Sequence, residues 1–330
     1  MKRREGRRDE FLIIGKKCMS NPEVISIGNM LVEIMRTELD RPLNLPAKFA
    51  GPFPSGDAPI YIDTIARLGH SAGFIGAVGP DDFGRCLLER FDRDEVDSSQ
   101  VAILPDHTTG VAFVAYFTGG SRKFIYHWRH AAAGQLGPEH VRPEYFQSAR
   151  WLHLTGCNLA ASPSAKEACY TAMHLLSPSA RLSFDANIRP ELLTIDQIRD
   201  LVQPAVERAD VILPSLTEAA MLTGLETDEQ GCRLWASQGK TVVLKMGSKG
   251  CRIYSRERVI DVPGFAVQEV DPTGAGDSFC AGFTVALLEN MPLEEAGRFA
   301  NAVGALAVTK FGPMEGAPSR QQVMEFMSNR

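Results

Sequence analysis

Asp271-Pro-Thr-Gly-Ala-Gly-Asp277-Ser-Phe-Cys-Ala-Gly-Phe283 runs a glycine-rich turn straight into an apolar helical stretch. The closely spaced Gly274 and Gly276 let backbone amides converge, and the start of a helix adds partial positive charge, so the segment predicts an anion cradle with phosphate as its guest. A carboxylate at Asp277, in the first helical turn, stands where a general base could take a proton from an attacking hydroxyl. The plainer reading is a tight turn whose Asp277 only complements the helix dipole, and the local spacing leaves both open. The sequence has no G-x-x-x-x-G-K-[ST] loop and no G-x-G-x-x-G opening a helix after the first strand. Asp82-Phe83-Gly84 spells a protein-kinase triplet without a His-Arg-Asp loop, and is read as chance.

The elements that must position this turn alternate strand and helix. Strands are expected at Val24 to Gly28, Ser71 to Val78, Trp151 to Leu154, Arg181 to Phe184, Val211 to Pro214 and Thr241 to Lys245. Helical patterns cover Ile60 to Leu68, Asp82 to Arg90, Ala165 to Leu176, Ile195 to Arg208, Glu218 to Thr223, Asp277 to Glu289 and Leu293 to Lys310. This order implies βαβ units around a mostly parallel sheet, an α/β fold that binds ligands beyond the carboxyl ends of its strands. Thr109 to Tyr126 reads instead as a hairpin around Gly119-Gly120, a small antiparallel accessory sheet placed as a β-lid.

At 330 residues, 44% hydrophobic and 23% charged, the chain can build a sizeable core, and its formal charge of -5 gives no basic field for nucleic acid or anionic membrane. A small-molecule partner is expected. Seven scattered cysteines without a C-x-x-C pair read as reduced thiols, and no apolar run reaches the roughly 18 residues of a membrane span, so a cytoplasmic protein is expected. Residues 1–23 read as a charged, disordered tail, or translation begins at Met19; residues 24–330 read as one domain, with lid strands in about 30–55 and 109–130.

Asp271-Pro-Thr-Gly-Ala-Gly-Asp277-Ser-Phe279 resembles the carboxy-terminal signature D-T-x-G-A-G-D-x-F of PfkB-family kinases, and further matches follow in the family's order from about residue 24 to 318. Gly28-Asn-Met-Leu-Val-Glu33 is similar to its first strand end. Ser55-Gly56-Asp57 with Ala66-Arg-Leu-Gly69 resembles its amino-terminal glycine signature, continued by Ile75-Gly-Ala-Val-Gly79. Asp185-Ala-Asn187-Ile-Arg189 resembles a motif of sugar and keto-sugar-acid kinases, Ser215-Leu-Thr-Glu218 the N-x-x-E motif, and Lys245-Met-Gly247-Ser-Lys-Gly250 the nucleotide-side strand and turn.

The resemblance implies a ribokinase-like three-layer sandwich with a mostly parallel sheet, and an ATP-dependent sugar kinase using Mg2+ and K+. Its implied roles are Asp277 as base; amides of Gly274, Ala275, Gly276 and Asp277 as anion hole; and Glu33, Gly56, Asp57, Arg129, Asp185 and Arg189 on the substrate. Ser215, Lys245, Gly247, Gly250 and Asn301 would meet nucleotide, Glu218 would hold magnesium through water, and Asp271 the monovalent cation. The chain departs from the family at Ile60 and Ser215, where asparagine is usual.

Tyr126-His-Trp128-Arg129 with its following alanines resembles some 2-keto-3-deoxygluconate kinases, and an arginine fork suits a carboxylate, so the acceptor is expected to be a ketose or keto-sugar acid. Trp128 as lid packing and Arg129 as an exposed charge is the equally weighted alternative. His127 and His130 sit three apart without a matching metal ligand. A nucleoside kinase of the same fold, or a non-catalytic sugar- or nucleotide-binding homologue, stays open. A homodimer through the lid edges is expected.

Overall fold

The computed structural model describes residues 22–188 and 193–329. The tail reading for residues up to 21, the alternative start at Met19, and the substrate role of Arg189 lie outside the described residues. Glu23, assigned to the tail by sequence, is bonded into the sheet edge: its amide donates to Ser71 O at 3.1 Å and its carbonyl accepts from Arg150 N at 2.8 Å.

The chain runs β1 (Val24–Ile27), β2 (Leu31–Arg36), β3 (Phe49–Ser55), α1 (Asp57–Arg67), β4 (Ala72–Val78), α2 (Asp82–Arg93) and β5 (Asp97–Ile103). The hairpin β6 (Gly110–Tyr116) and β7 (Arg122–His127) precedes β8 (Trp151–Thr155), the short α3 (Gly156–Leu159), α4 (Pro163–Leu175), β9 (Arg181–Asp185), α5 (Ile195–Arg208) and β10 (Val211–Ile212). There follow α6 (Glu218–Thr223), α7 (Asp228–Ser237), β11 (Thr241–Lys245), β12 (Gly250–Tyr254), β13 (Val259–Pro263), α8 (Ala275–Leu288), α9 (Leu293–Ala307) and α10 (Arg320–Ser328).

Nine strands form one sheet in the order β13-β12-β11-β10-β9-β8-β1-β4-β5. All pairings from β11 to β5 are parallel; β12 and β13 add an antiparallel edge. The parallel strands read as apolar runs because both faces are covered. Val24 and Val243 pack with Phe283 and Phe299 of α8 and α9 on one side, while Ile25, Val242 and Leu244 pack with Cys169, Val202 and Trp235 of α4, α5 and α7 on the other. Alternate side chains of one sheet thus enter two cores, which makes a three-layer α/β/α sandwich.

A second sheet, β3-β2-β6-β7, forms the lid. Its outer pairings are antiparallel, whereas β2 and β6 run parallel, because the chain passes through the main sheet between them. On the lid's inner face Leu31, Ala112 and Trp128 pack against Cys157 of α3. Below it, the Arg90 fork of α2 grips Asp63 of α1 at 3.0 and 2.7 Å and Met314 O at 3.0 Å, tying α1 to the turn that backs the glycine loop. Breaking such a buried pair costs about 3–5 kcal/mol. Among the described residues no helix is long and apolar enough to cross a membrane.

Candidate active site

The glycine turn sits at the start of α8, with Gly274 at φ 80°. A Cβ there would collide with Pro313 O and press on Ile60 Cγ2 at 3.2 Å, so backbone conformation and space both require glycine. Gly276 is open by contrast: a Cβ would meet only Lys245 Nζ, at 3.6 Å. Its missing side chain leaves the first amides of α8, which have no intrahelical acceptor, accessible to a ligand. Asp277 is the third residue of α8 and lines the cavity in front of the turn. Asp271 braces the turn from behind: Oδ1 accepts from Thr273 N at 3.0 Å and the Tyr116 hydroxyl at 3.1 Å, and Oδ2 accepts from Gly312 N at 3.0 Å.

That cavity, about 610 Å³, lies between the lid and the carboxyl ends of the central strands. Its floor is the start of α1, where Gly56 at φ 115° could not carry a Cβ without striking Asn29 O. Asp57 is held rigidly: Oδ1 accepts from Ala58 N at 2.8 Å and Asn158 Nδ2 at 3.2 Å, Oδ2 from Thr155 Oγ1 at 2.6 Å and Asn187 Nδ2 at 2.8 Å. Glu33 enters from β2. Its Oε1 accepts from Ser55 Oγ at 2.7 Å, whereas Oε2 is buried with no partner. Burial pushes the Glu33 carboxyl up to about 7; Asp271 adds to the rise, while Ser55 and Arg122 oppose it.

On the opposite wall Lys245 Nζ donates to Asp185 Oδ2 at 2.6 Å, and Asp185 Oδ1 is buried without a partner. Burial alone would lower the Lys245 pKa, but Asp185, Cys280 and Glu218 more than offset it and hold the ammonium charged. Glu218 accepts Ser215 N at 2.7 Å and Ile188 N at 2.8 Å. Its pKa is raised by burial and by Asp185, against Lys245 and those two amides.

A second cavity, about 500 Å³, opens on the other side of the turn and is mainly apolar, lined by Phe265, Val267, Phe279, Gly304, Ala305 and Val308. Gly247, Gly250, Ala275 and Asn301 complete it, and Asn301 Nδ2 holds Val262 O and Pro263 O, both at 3.1 Å. The two cavities share Lys245, Pro272 and Gly276.

The sequence-predicted residues therefore divide between two adjoining spaces. Glu33, Gly56, Asp57, Asp185, Ser215, Glu218, Lys245, Gly274, Gly276 and Asp277 line the first; Lys245, Gly247, Gly250, Ala275, Gly276 and Asn301 line the second. Ser215 lines the first space and gives Glu218 its backbone amide, so the missing asparagine side chain leaves that contact intact. Arg129, expected on the substrate, is exposed and lines a separate surface depression with His130 and Lys166, outside the polar cavity. Arg122, Phe124, Tyr126 and Trp128, spaced two apart on β7 and just beyond it, face the cavity instead. A period of two marks one strand face, and that signal would have found Arg122.

For magnesium, the orphaned Asp185 Oδ1 beside Glu218 supplies a fitting oxygen set. Among the described residues no group of three or more His, Cys, Asp or Glu could cage a metal by itself.

Residues 23–320 match the family model described as pfkB family carbohydrate kinase. A Fructokinase-1 of Oryza sativa subsp. japonica is 31% identical over 319 residues, covering 93% of this chain and 98% of that protein. A 2-dehydro-3-deoxygluconokinase of Bacillus subtilis (strain 168) is 31% identical over 273 residues, 80% of this chain and 83% of that one. An E. coli protein of the Ribokinase II type, solved in complex with ATP and Mg2+, superposes with a TM-score of 0.89 at 35% identity over 94% of this chain and 100% of its own. The family match spans both cavities and the turn between them, and the chain belongs to the pfkB family of carbohydrate kinases.

Proposed function

We propose that the polar cavity holds a ketose or keto-sugar acid and the apolar cavity the adenine end of ATP, with phosphoryl transfer across the shared Gly274–Gly276 turn. The observation that carries this reading is the junction: two cavities of different chemistry meet at Gly276 and Lys245, with Asp277 on the polar side. Asp277 takes the proton of the attacking hydroxyl, and the amides of Gly274, Ala275, Gly276 and Asp277 with Lys245 stabilise charge on the moving phosphoryl group. Asp57, fixed by four donors, and Glu33, with its open Oε2, accept sugar hydroxyls. Gly56 lets the chain approach closely there, and Asp185 with Glu218 would hold magnesium, which supplies charge neutralisation at the phosphates. Asp271 Oδ2 carries one hydrogen bond and retains acceptor capacity for a monovalent cation such as K+.

The lid excludes water from the transfer. Its far face exposes Phe49 (41%) and Ile125 (43%), and its outer strands β3 and β7 have free edges, so pairing of two lids into a homodimer is part of the reading. A nucleoside acceptor is the second reading, favoured by the stacked rings of Phe124, Tyr126 and Trp128 on the cavity side. ADP release with ATP, Mg2+ and K+ across fructose, tagatose, ribose, 2-dehydro-3-deoxygluconate and adenosine separates the two. The proposal expects turnover on a ketose or keto-sugar acid; selective turnover of adenosine would replace it.

A further inference from the structure

Two cations line the polar cavity among the described residues, Lys245 and Arg122. Lys245 is paired with Asp185 at 2.6 Å. Arg122, the first residue of β7, is exposed and has no carboxylate within ion-pair distance among the described residues. Its guanidinium carbon stands 5.7 Å from the Phe124 ring centre, and Nη1 donates to Thr273 Oγ1 at 3.1 Å. A guanidinium offers five donors in a planar fork, so most of this one is left for a guest.

Asp57, Glu218 and Glu33, three of the acids that line the cavity, make their hydrogen bonds elsewhere. Asp57 already shares its charge among four donors and Glu218 is held by two backbone amides. Glu33, whose Oε1 is bound to Ser55, feels Arg122 only through space and keeps Oε2 buried and unpartnered. A guest that meets both gives a hydrogen-bond donor to Glu33 and an acceptor oxygen to Arg122, and a negative oxygen suits the guanidinium best. We propose that the acceptor is a sugar acid whose carboxylate is read by the Arg122 fork, which makes Arg122 the residue that sets preference for an acid over a neutral ketose. This rests on the acceptor site assigned above and narrows its substrate class. A planar fork matches a carboxylate in two parallel hydrogen bonds. A neutral ketose would offer this exposed guanidinium only uncharged oxygens, whereas a carboxylate meets it in charge-assisted hydrogen bonds, roughly twice as strong as neutral ones.

The position of Arg122 beside Thr273, one residue before Gly274, offers a rival role in stabilising the moving phosphoryl group, and kinetics separate the two. Initial rates are measured for the wild type, Arg122→Gln and Arg122→Lys on 2-dehydro-3-deoxygluconate (carboxylate at one end), fructuronate (carboxylate at the other) and fructose, with melting temperatures to check folding. The wild type should prefer one of the acids. Arg122→Gln should raise KM for that acid ~10–100-fold with kcat and the KM for fructose nearly unchanged, and Arg122→Lys should fall between, keeping the charge but losing the fork. Preference of the wild type for fructose overturns the proposal, as does an equal fall of kcat on acid and neutral sugars in Arg122→Gln. If no sugar of any charge is phosphorylated, the acceptor-site reading itself has failed.

Discussion

The polar and apolar cavities share three residues, yet they are built in opposite ways. The polar one is lined by carboxylates most of whose oxygens are fixed by short side chains and backbone amides from β3, α1, β8, α3 and the segment after β9. The apolar one is shaped by missing atoms: Gly247, Gly250 and Gly304 on its walls, with aromatic and branched side chains between them. Hydrogen bonds select a particular arrangement of hydroxyls, whereas a flat apolar slot accepts a ring with little regard to its edge. Substitutions on the two sides should therefore separate acceptor from nucleotide kinetics.

The largest expected separation comes from Asp57→Asn, which turns an amide NH2 towards groups that are themselves donors. Acceptor kcat/KM should fall ~100-fold or more with KM for ATP nearly unchanged, since a lost charged acceptor is worth ~2–3 kcal/mol. Steady-state titration of each substrate checks it, and a parallel loss of ATP affinity would collapse the distinction between the cavities. Gly304→Val works from the other side. A Cβ there already lies 3.3 Å from Ala275 O and 3.4 Å from Phe279 Cβ, so a branched side chain should narrow the slot and raise KM for ATP about tenfold while leaving acceptor affinity alone.

Glu33 sharpens the comparison through pH. Its folded-state pKa is raised from 4.5 to about 7, so its contribution to stability is fully present below about 4.5 and is lost as pH rises through 7, up to ~3 kcal/mol. Glu33→Gln should gain melting temperature relative to wild type between pH 5 and 8. Because a bound hydroxyl favours the ionised carboxylate, acceptor KM should fall over pH 6 to 8 in the wild type and stay flat in the variant, with KM for ATP insensitive in both. The smallest effect is expected for Ser215→Ala: Glu218 takes the Ser215 backbone amide, so activity should stay within about threefold.

Much of this was legible in the sequence, for physical reasons. Gly274, Gly276 and Asp277 announce themselves because a tight turn into a helix restricts residue choice, and the parallel strands announce themselves as apolar runs. The hairpin β12–β13, strand β5, and helices α7 and α10 were not anticipated: the strands lie at the two ends of the sheet, where one-sided burial leaves a weaker pattern, and the two helices are short. Arg129 was chosen for its motif, Trp-Arg with alanines; both residues lie just past the end of β7, where Trp128 is buried and Arg129 exposed. Lys245 carries no local mark of its pairing with Asp185, because β9 and β11 are brought together only by the sheet.

The most direct test of a base standing between two independently built cavities is Asp277→Asn, measured for phosphoryl transfer and, by calorimetry, for ATP binding with Mg2+. Turnover reduced ~100- to 10,000-fold with ATP affinity nearly unchanged is the predicted result, since amides and magnesium hold the nucleotide and only the transfer needs the base. Loss of ATP binding alongside turnover, or retention of turnover, would contradict the role given to Asp277.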